Sequence, residues 1–362
     1  MQISTSQKTI PEPPKPLLAA SRGIPSNRTP VWFMRQAGRS LPEYKLARGN
    51  GSILSAISDP SLAAELTLQP VRRYGVDAAI LFSDIVVPIY ATGFGVEVIP
   101  GKGPIIDIAF STAHDLSRLR ALEPALDVPY VIDAVKIVKK ELAGSNVALI
   151  GFAGAPFTVA SYLIEGGPSR HFAKVKSFMY SEPEIWDLLA ERLALQSIAF
   201  LRAQIEAGAE AVQLFDSWAG SLSPIEYERF ALPATRQVLE GISDLGVPTI
   251  LFGVGTGELL SFMATSGADV VGVDWRVPLD QARRRVGPNL CLQGNLDPAI
   301  CLAPWQVVKS VTRDVLKRGN QGYETENSNS GYIFNLGHGV LPETDPGILN
   351  AITDLVHEEG GR

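Results

Sequence analysis

Cysteine is nearly missing from this 362-residue chain. Only Cys291 and Cys301 occur, each inside an apolar stretch, with no CxxC pair and no histidine-rich neighbourhood. That pattern argues against a disulfide framework and a thiolate zinc site, and it suits a reducing cytoplasm. An excess of positive charge is lacking too. The net charge is −6 with both signs interspersed, so no global field exists to hold nucleic acid or an anionic membrane, and an anionic partner must be caught locally. No apolar run reaches the roughly 18 to 20 residues that span a bilayer, and no basic segment leads into an apolar stretch near residue 1. The expectation is a cytoplasmic protein with neither a nucleic-acid nor a membrane partner.

Several chemistries are absent as well. The "GVGTGEL" stretch resembles a phosphate cradle but lacks the Gly-Lys-Ser/Thr of a P-loop, and a dinucleotide fingerprint should open the first βα unit instead of a late one. There is no G-x-S-x-G elbow, no lysine ending a strand in Schiff-base position, and no cluster of His and carboxylates with metal-ligand spacing.

What is present is an apolar chain, 46% hydrophobic, able to bury a large core. Residues 1–28, rich in Ser, Pro and Lys, are expected to form a flexible leader outside the fold. Beyond it, short runs rich in Val, Ile, Leu and Phe recur: "VWFM" at 31, "AAILFS" at 78, "VALIGF" at 147, "AVQLF" at 211, "PTILFG" at 248, "DVVGVD" at 269, "NLCLQG" at 289 and "GYIFNLG" at 331. Amphipathic segments separate them, several opening on Pro and closing on Gly as helix ends prefer. Continuous apolar strands alternating with helices imply a parallel sheet covered by helices, and eight such units predict one α/β domain over 29–362, a (β/α)8 TIM-type barrel. An open doubly wound sheet is the alternative. The alternating stretch 93–110 predicts a small hairpin inserted after the second strand.

In a barrel, loops at the C-terminal strand ends form the active site. Here those ends read "MRQAGR", "SDIVVP", "GAPFT", "FDSWAG", "GVGTG", "VDWRVP", "QGNLDP" and "NLGHG". Arg35 and Arg39 flank a Gln36-Ala37-Gly38 bend, and two guanidinium forks can grip carboxylates or phosphates bidentately; the plainer reading pairs one with Glu43. Arg48 lies in a Gly-flanked polar loop where it either joins them or is solvated. Asp84 follows an apolar run, so its carboxylate needs donors or an internal partner such as Arg35. His338 stands between two glycines, free to point at a ligand. His114 and His357 read as helix-end or helix-surface residues, and His171 as part of a turn. Tyr162 and Ser217 read more readily as hydrogen-bonded packing residues than as catalysts.

The stretch "PVWFMRQAGRSLPEY" strongly resembles the uroporphyrinogen decarboxylase family, and the likeness runs from about residue 28 to 358. "LTLQPVRRYGVDAAILFSDIVVP", "GFAGAPFTVASYLIEGG", "QLFDSWAG", "VVGVDWRVPL", "LQGNLDP" and "FNLGHGVLPETDP" match the family's blocks in order. The resemblance implies a distorted (β/α)8 barrel and a homodimer. It implies conversion of uroporphyrinogen III to coproporphyrinogen III without cofactor or metal. By motif, Arg35, Gln36, Ala37, Gly38 and Arg39 fall on the family's substrate loop and Arg48 on its downstream arginine. Asp84 falls on the central aspartate, and Tyr162, Ser217 and His338 on substrate-binding positions. Asp84 and Arg35 are the implied catalytic pair, Asp84 steadying a cationic pyrrole and Arg35 standing near the proton transfer, where His338 offers a better-matched pKa. Ser40 departs from the family's usual Tyr, and the polar stretch 320–330 is longer than its pattern. A barrel methyltransferase that binds zinc through His-x-Cys is disfavoured, since no His-x-Cys occurs. A tetrapyrrole carrier would keep the arginines but have no need of Asp84.

Overall fold

Apolar residues on both faces of a strand can be satisfied only if both faces are covered, and seven of the eight apolar runs do become such strands. The computed structural model describes residues 14–38, 40–99, 101–321 and 331–361. β1 (Ala78–Ile80), β4 (Ala148–Gly154), β5 (Ala211–Asp216), β6 (Thr249–Gly253), β7 (Val270–Gly272), β8 (Cys291–Leu296) and β9 (Tyr332–Leu336) form one curled parallel sheet in that order. Its registers are set by pairs such as Ala78 with Ala148, Ile150 with Ala211 and Leu292 with Tyr332. Nearly every strand residue is buried. β2 (Val96–Ile99) and β3 (Gly103–Ile106) pair antiparallel and lie in sequence between β1 and β4. Helices such as Pro60–Tyr74, Pro183–Ala207 and Trp305–Asn320 connect the strands. Each of the first two has Pro in its first turn, where the missing N–H costs nothing.

The first apolar run departs from expectation. "VWFM" contributes one bridge residue, Val31, which pairs with Phe334, while its carbonyl accepts from the Asp77 amide at 2.8 Å, just before β1. Pro30, which has no amide proton, precedes it, and Arg35 turns the chain into the left-handed region (φ 58°) four residues later. Too few residues remain extended for a ladder. Even so, Val31 links the two edges of the sheet.

The expected leader is also corrected over its described part. Residues Pro16–Ser21 form a helix with Leu17 fully buried. Lys15 donates to the Val147 carbonyl at 2.7 Å and to Glu210 at 2.8 Å, Arg22 to the Gly246 carbonyl at 3.1 Å, and Arg28 to Asp77 at 2.5 Å. Those partners all precede strands, so the segment straps the N-terminal edge of the sheet. The "PLLAAS" burst, with Pro at its first helical position, carried that signal inside a composition that reads as unstructured. Residues 1–13, and residues 322–330 of the long polar stretch, lie outside the described residues.

Candidate active site

All seven strands run the same way, so the loops after them leave one edge of the sheet together. The loop after Val31 is held from both sides. The Met34 amide donates to Asn335 Oδ1 at 3.0 Å and the Met34 carbonyl accepts from the Val340 amide at 2.8 Å, which fixes it to the chain around β9. Gln36 turns inward, accepting from the Phe33 amide at 3.0 Å and donating to the Ala78 carbonyl at 2.9 Å, which fixes it to β1. These bonds sustain the positive φ at Arg35, a conformation that costs a non-glycine residue on the order of 1 kcal/mol or more. The Gln36 side chain is thus occupied in holding the turn. Gly38 (φ +111°) rests on the Tyr44 ring, Ala37 is half-buried, and Arg39 lies outside the described residues.

The Arg35 side chain passes over Gly339, where an added Cβ would come within 2.4 Å of Arg35 Cδ. Only glycine leaves that passage open, which explains the second glycine of "GHG". His338, beside it, is half-buried and accepts the Gly339 amide on Nδ1 at 2.7 Å. With Nδ1 accepting there, the neutral ring carries its proton on Nε2. The Trp275 ring meets His338 edge to face at 6.3 Å.

Asp84 follows β1 and faces Arg35 and Tyr162. It retains some accessible surface while protein closes round it deeply enough that loss of solvation outweighs every other influence on its carboxyl. Burial raises its pKa above the ordinary carboxylate range. The Val86 amide, donating to Oδ1 at 3.1 Å, opposes this, followed by the Arg35 charge and the Ile85 amide. A carboxylate partly open yet poorly solvated is the condition expected at the floor of a cleft. Tyr162, on the helix Pro156–Glu165, is pushed up to about 12 by burial and then by the Asp84 charge, so it stays a neutral phenol and a hydrogen-bond donor. Its ring stacks on Trp218 with centroids 3.8 Å apart. Ser217, the residue before Trp218, is half-buried in the loop after β5.

Arg48 sits at one remove. It ends the helix Pro42–Arg48, donates to the Gly51 carbonyl at 2.8 Å and lies over the Tyr44 ring at 5.5 Å. Tyr44 in turn packs on Phe82, two residues before Asp84. The structure therefore gathers Arg35, Asp84 and Tyr162 by mutual charge effects, ties His338 to them through Gly339, and leaves Arg48 behind an aromatic pair. Glu43, the alternative partner for the loop arginines, lies 4.0 Å from Arg73, and its place relative to Arg39 falls outside the described residues. Trp218 and Trp275 were not singled out from sequence; an aromatic directly after a strand end was the available signal.

The remaining motifs have other roles. "GVGTG" lines a groove of about 330 Å³ with Arg276 and Arg285, but both arginines are engaged, Arg285 with Glu258 at 3.1 Å and Arg276 with the buried Asp274. The glycine loop itself donates the Gly255 amide to Asp274 at 2.5 Å. It is a structural turn, not a phosphate cradle. His357, expected at a helix surface, bonds the buried Asp77 at 2.8 Å, whereas His114 and His171 are exposed. Cys291 and Cys301 are buried, and neither is in a disulfide. Among the described residues no group of three or more His, Cys, Asp and Glu is placed to hold a metal ion, and no helix is long and apolar enough to cross a membrane.

The family model described as uroporphyrinogen decarboxylase (URO-D) matches residues 12–359. Proteins named uroporphyrinogen decarboxylase from Salinispora tropica and Streptomyces coelicolor are 55% and 54% identical. The first match covers 95% of this chain and 90% of the relative, the second 99% and 100%. Among solved structures, a methyltransferase from Methanosarcina mazei superposes with a TM-score of 0.75 at 24% identity, covering 94% of this chain and 97% of its own. A B12-independent methionine synthase from Shewanella gives 0.55 at 14% identity, covering 96% of each chain. At those identities the structures share the fold alone.

Proposed function

The chain belongs to the uroporphyrinogen decarboxylase family and is a decarboxylase of tetrapyrrole biosynthesis, and from that premise we propose how its residues divide the work. The substrate is uroporphyrinogen III, a flexible ring of four pyrroles whose four acetates become methyls. The curled sheet is a TIM-type (β/α)8 barrel with the Val31 segment as its remaining stave and β2–β3 as an insertion after the second. The protein acts in the cytoplasm as a homodimer, without cofactor or metal.

The pyrrole is its own electron sink. A proton added at the ring α-carbon gives an iminium-like cation; the acetate C–C bond then breaks, carbon dioxide leaves, and the electron pair forms an exocyclic double bond that neutralises the ring. A second proton turns the methylene into methyl, and loss of the α-proton restores the pyrrole. One proton is taken up for each carbon dioxide released.

Asp84 supplies the fixed negative charge. Its ionised form is poorly solvated, so a developing cation beside it is stabilised more than the neutral ring was, which is the differential binding catalysis requires. Pyrrole N–H groups donate to the same carboxylate and draw the macrocycle over it. Arg35 and Arg39 grip acetate or propionate groups, with the Gln36, Ala37 and Gly38 backbone shaping the turn between them. Arg48 takes an outlying carboxylate. Tyr162, kept neutral, Ser217 and the Nε2–H of His338 donate to substrate oxygens. Arg35 stands nearest the proton transfer; its guanidinium acts as the acid only if its proton moves together with the substrate's change. The single observation that carries this reading is the meeting of a desolvated Asp84 with Arg35 and Tyr162 at one strand edge.

Incubating the purified protein with uroporphyrinogen III under anaerobic, reducing conditions should yield hepta-, hexa-, penta- and tetracarboxylate products in turn. Tight binding without loss of carboxylates would instead show a carrier.

A further inference from the structure

Behind the stacked Tyr162 and Trp218 rings lies a buried carboxyl that the mechanism above does not use. Asp216 ends β5 with 1% of its surface exposed. Its Oδ1 accepts the Thr158 hydroxyl at 2.7 Å, and the same hydroxyl oxygen accepts the Trp218 amide at 3.2 Å. Oδ2 is buried with no hydrogen-bond partner among the described residues, as is the nearby Tyr227 hydroxyl, set in a π-helical turn over Tyr227–Ala231. Burial at this depth without full pairing is costly, so the group calls for an explanation.

The helix Pro156–Glu165 supplies one. Its N-cap position is Ala155, which has no side chain to satisfy the orphan amides of the first turn. The Asp216 carboxyl, reaching across from the next strand, bonds both the backbone and the hydroxyl of Thr158 in that turn. It does the work of the missing cap and sits where the helix dipole favours an anion. Tyr162 is four residues further along, on the same helical face as Thr158.

We propose that Asp216 is a positioning residue for the decarboxylation: through the Thr158 hydroxyl it joins the start of the Pro156–Glu165 helix to the Ser217–Trp218 loop, and so holds the Tyr162 ring in place opposite Asp84. The inference rests on the decarboxylase reading, extending it to residues that do not touch the substrate. The hydroxyl is essential because only a group that donates and accepts at once serves Asp216 and the Trp218 amide together. Burial pushes Asp216 up to about 6, against the pull of both Thr158 bonds, so the carboxyl is mainly ionised at neutral pH and the hydroxyl must be the donor between them. The groups around it are Thr158 on its helix and Tyr227, itself near Arg236.

Thr158→Val keeps the shape and removes the junction. It is expected to lower kcat and kcat/KM together by roughly 10- to 100-fold, the scale of a small misplacement at a reacting group, while Thr158→Ser keeps activity within about threefold of the parent. Adding Trp218→Ala to Thr158→Val should cost less than the product of the single losses, since both act through one element. Thr158→Val at parental activity, Thr158→Ser as impaired as Thr158→Val, or strictly multiplicative losses would each overturn the proposal. A readout independent of turnover is the acrylamide quenching of Trp218, obtained as the difference between each protein and its Trp218→Phe form. Trp218 should become more accessible in Thr158→Val, and unchanged quenching overturns the proposal. If the unaltered protein turns over no uroporphyrinogen, the decarboxylase reading fails, whereas the quenching result still decides whether Thr158 holds the stack.

Discussion

Burial governs the ionisation of the Asp84 carboxyl. Lost solvation raises its pKa against the opposing Val86 amide and Arg35 charge, which makes the ionised group a liability to the fold. The sign follows from proton counting. The unfolded chain releases this proton near the ordinary aspartate value of about 4, the native chain only at higher pH. Between those points the native state binds more protons, so stability falls as pH rises through the native pKa and stays lower above it. Asp84→Asn is therefore expected to stabilise the protein at pH 7, with the gain shrinking toward pH 4, while lowering kcat by about 10²- to 10³-fold. Urea unfolding at the two pH values, beside turnover of uroporphyrinogen, checks both halves; a variant less stable than the parent at pH 7 would show that Asp84 is well paired within the protein. Arg35 and Asp84 stood out in the sequence because charges beside apolar runs are rare. Asp216 did not, since nothing in "LFDSWAG" says which of its polar residues turns inward.

At the level of elements, loops and helices are placed by a few contacts that spacing does not reveal. The loop after β9 gives the Arg35 side chain its passage, and a methyl at Gly339 would meet that chain at 2.4 Å. Gly339→Ala should shift Arg35 and raise KM for the octacarboxylate roughly tenfold with kcat less affected, as expected when an anion grip is loosened; an unchanged KM would remove Arg35 from substrate binding. The helix Pro16–Ser21 is the opposite case, an element at the far edge of the sheet. Leu17 is fully buried there, and an added Cβ at Gly331 would lie 1.6 Å from the Ala20 carbonyl oxygen, so helix and sheet touch with no room between them. Leu17→Ala is expected to cost roughly 2–5 kcal/mol in denaturant unfolding, the range for truncating a buried leucine, and to leave kcat of the folded protein unchanged. A cost under about 0.5 kcal/mol would return this segment to the status of a leader. Four apolar residues, Leu17 to Ala20, among prolines and serines cannot show by composition that a groove waits for them. The seven long apolar runs could, because continuous burial on both faces has few solutions.

Across the whole molecule, the feature the sequence conceals is how the sheet's edges meet. Eight apolar runs imply eight strands, yet "VWFM" yields only the bridge at Val31. Periodicity reports burial, and Trp32, Phe33 and Met34 are indeed buried; it does not report that the chain must turn at Arg35 to present its guanidinium at the mouth. Closure falls instead to Asp77. Its carboxylate is wholly buried and accepts from Arg28 at 2.5 Å, from the Val31 amide at 2.8 Å and from His357 at 2.8 Å. Those partners come from the N-terminal strap, the bridge residue and the last helix, Pro346–Glu359, so one side chain joins both ends of the described chain to the first strand. Removing the carboxylate leaves a buried amide and two cationic or polar side chains without their acceptor, the situation in which breaking a buried pair costs most. Asp77→Ala should lose on the order of 3–5 kcal/mol, with strap, first strand and last helix failing together in a single transition. Hydrogen exchange at Val31 and in Pro346–Glu359 would report that shared loss. The cluster lies at the N-terminal edge of the strands and the loops proposed to hold the substrate at the other, so kcat per folded molecule should hold at parental level below the unfolding temperature. A fall in kcat without loss of protection would instead mean that the two edges of the sheet are coupled through Val31 to the Arg35 turn.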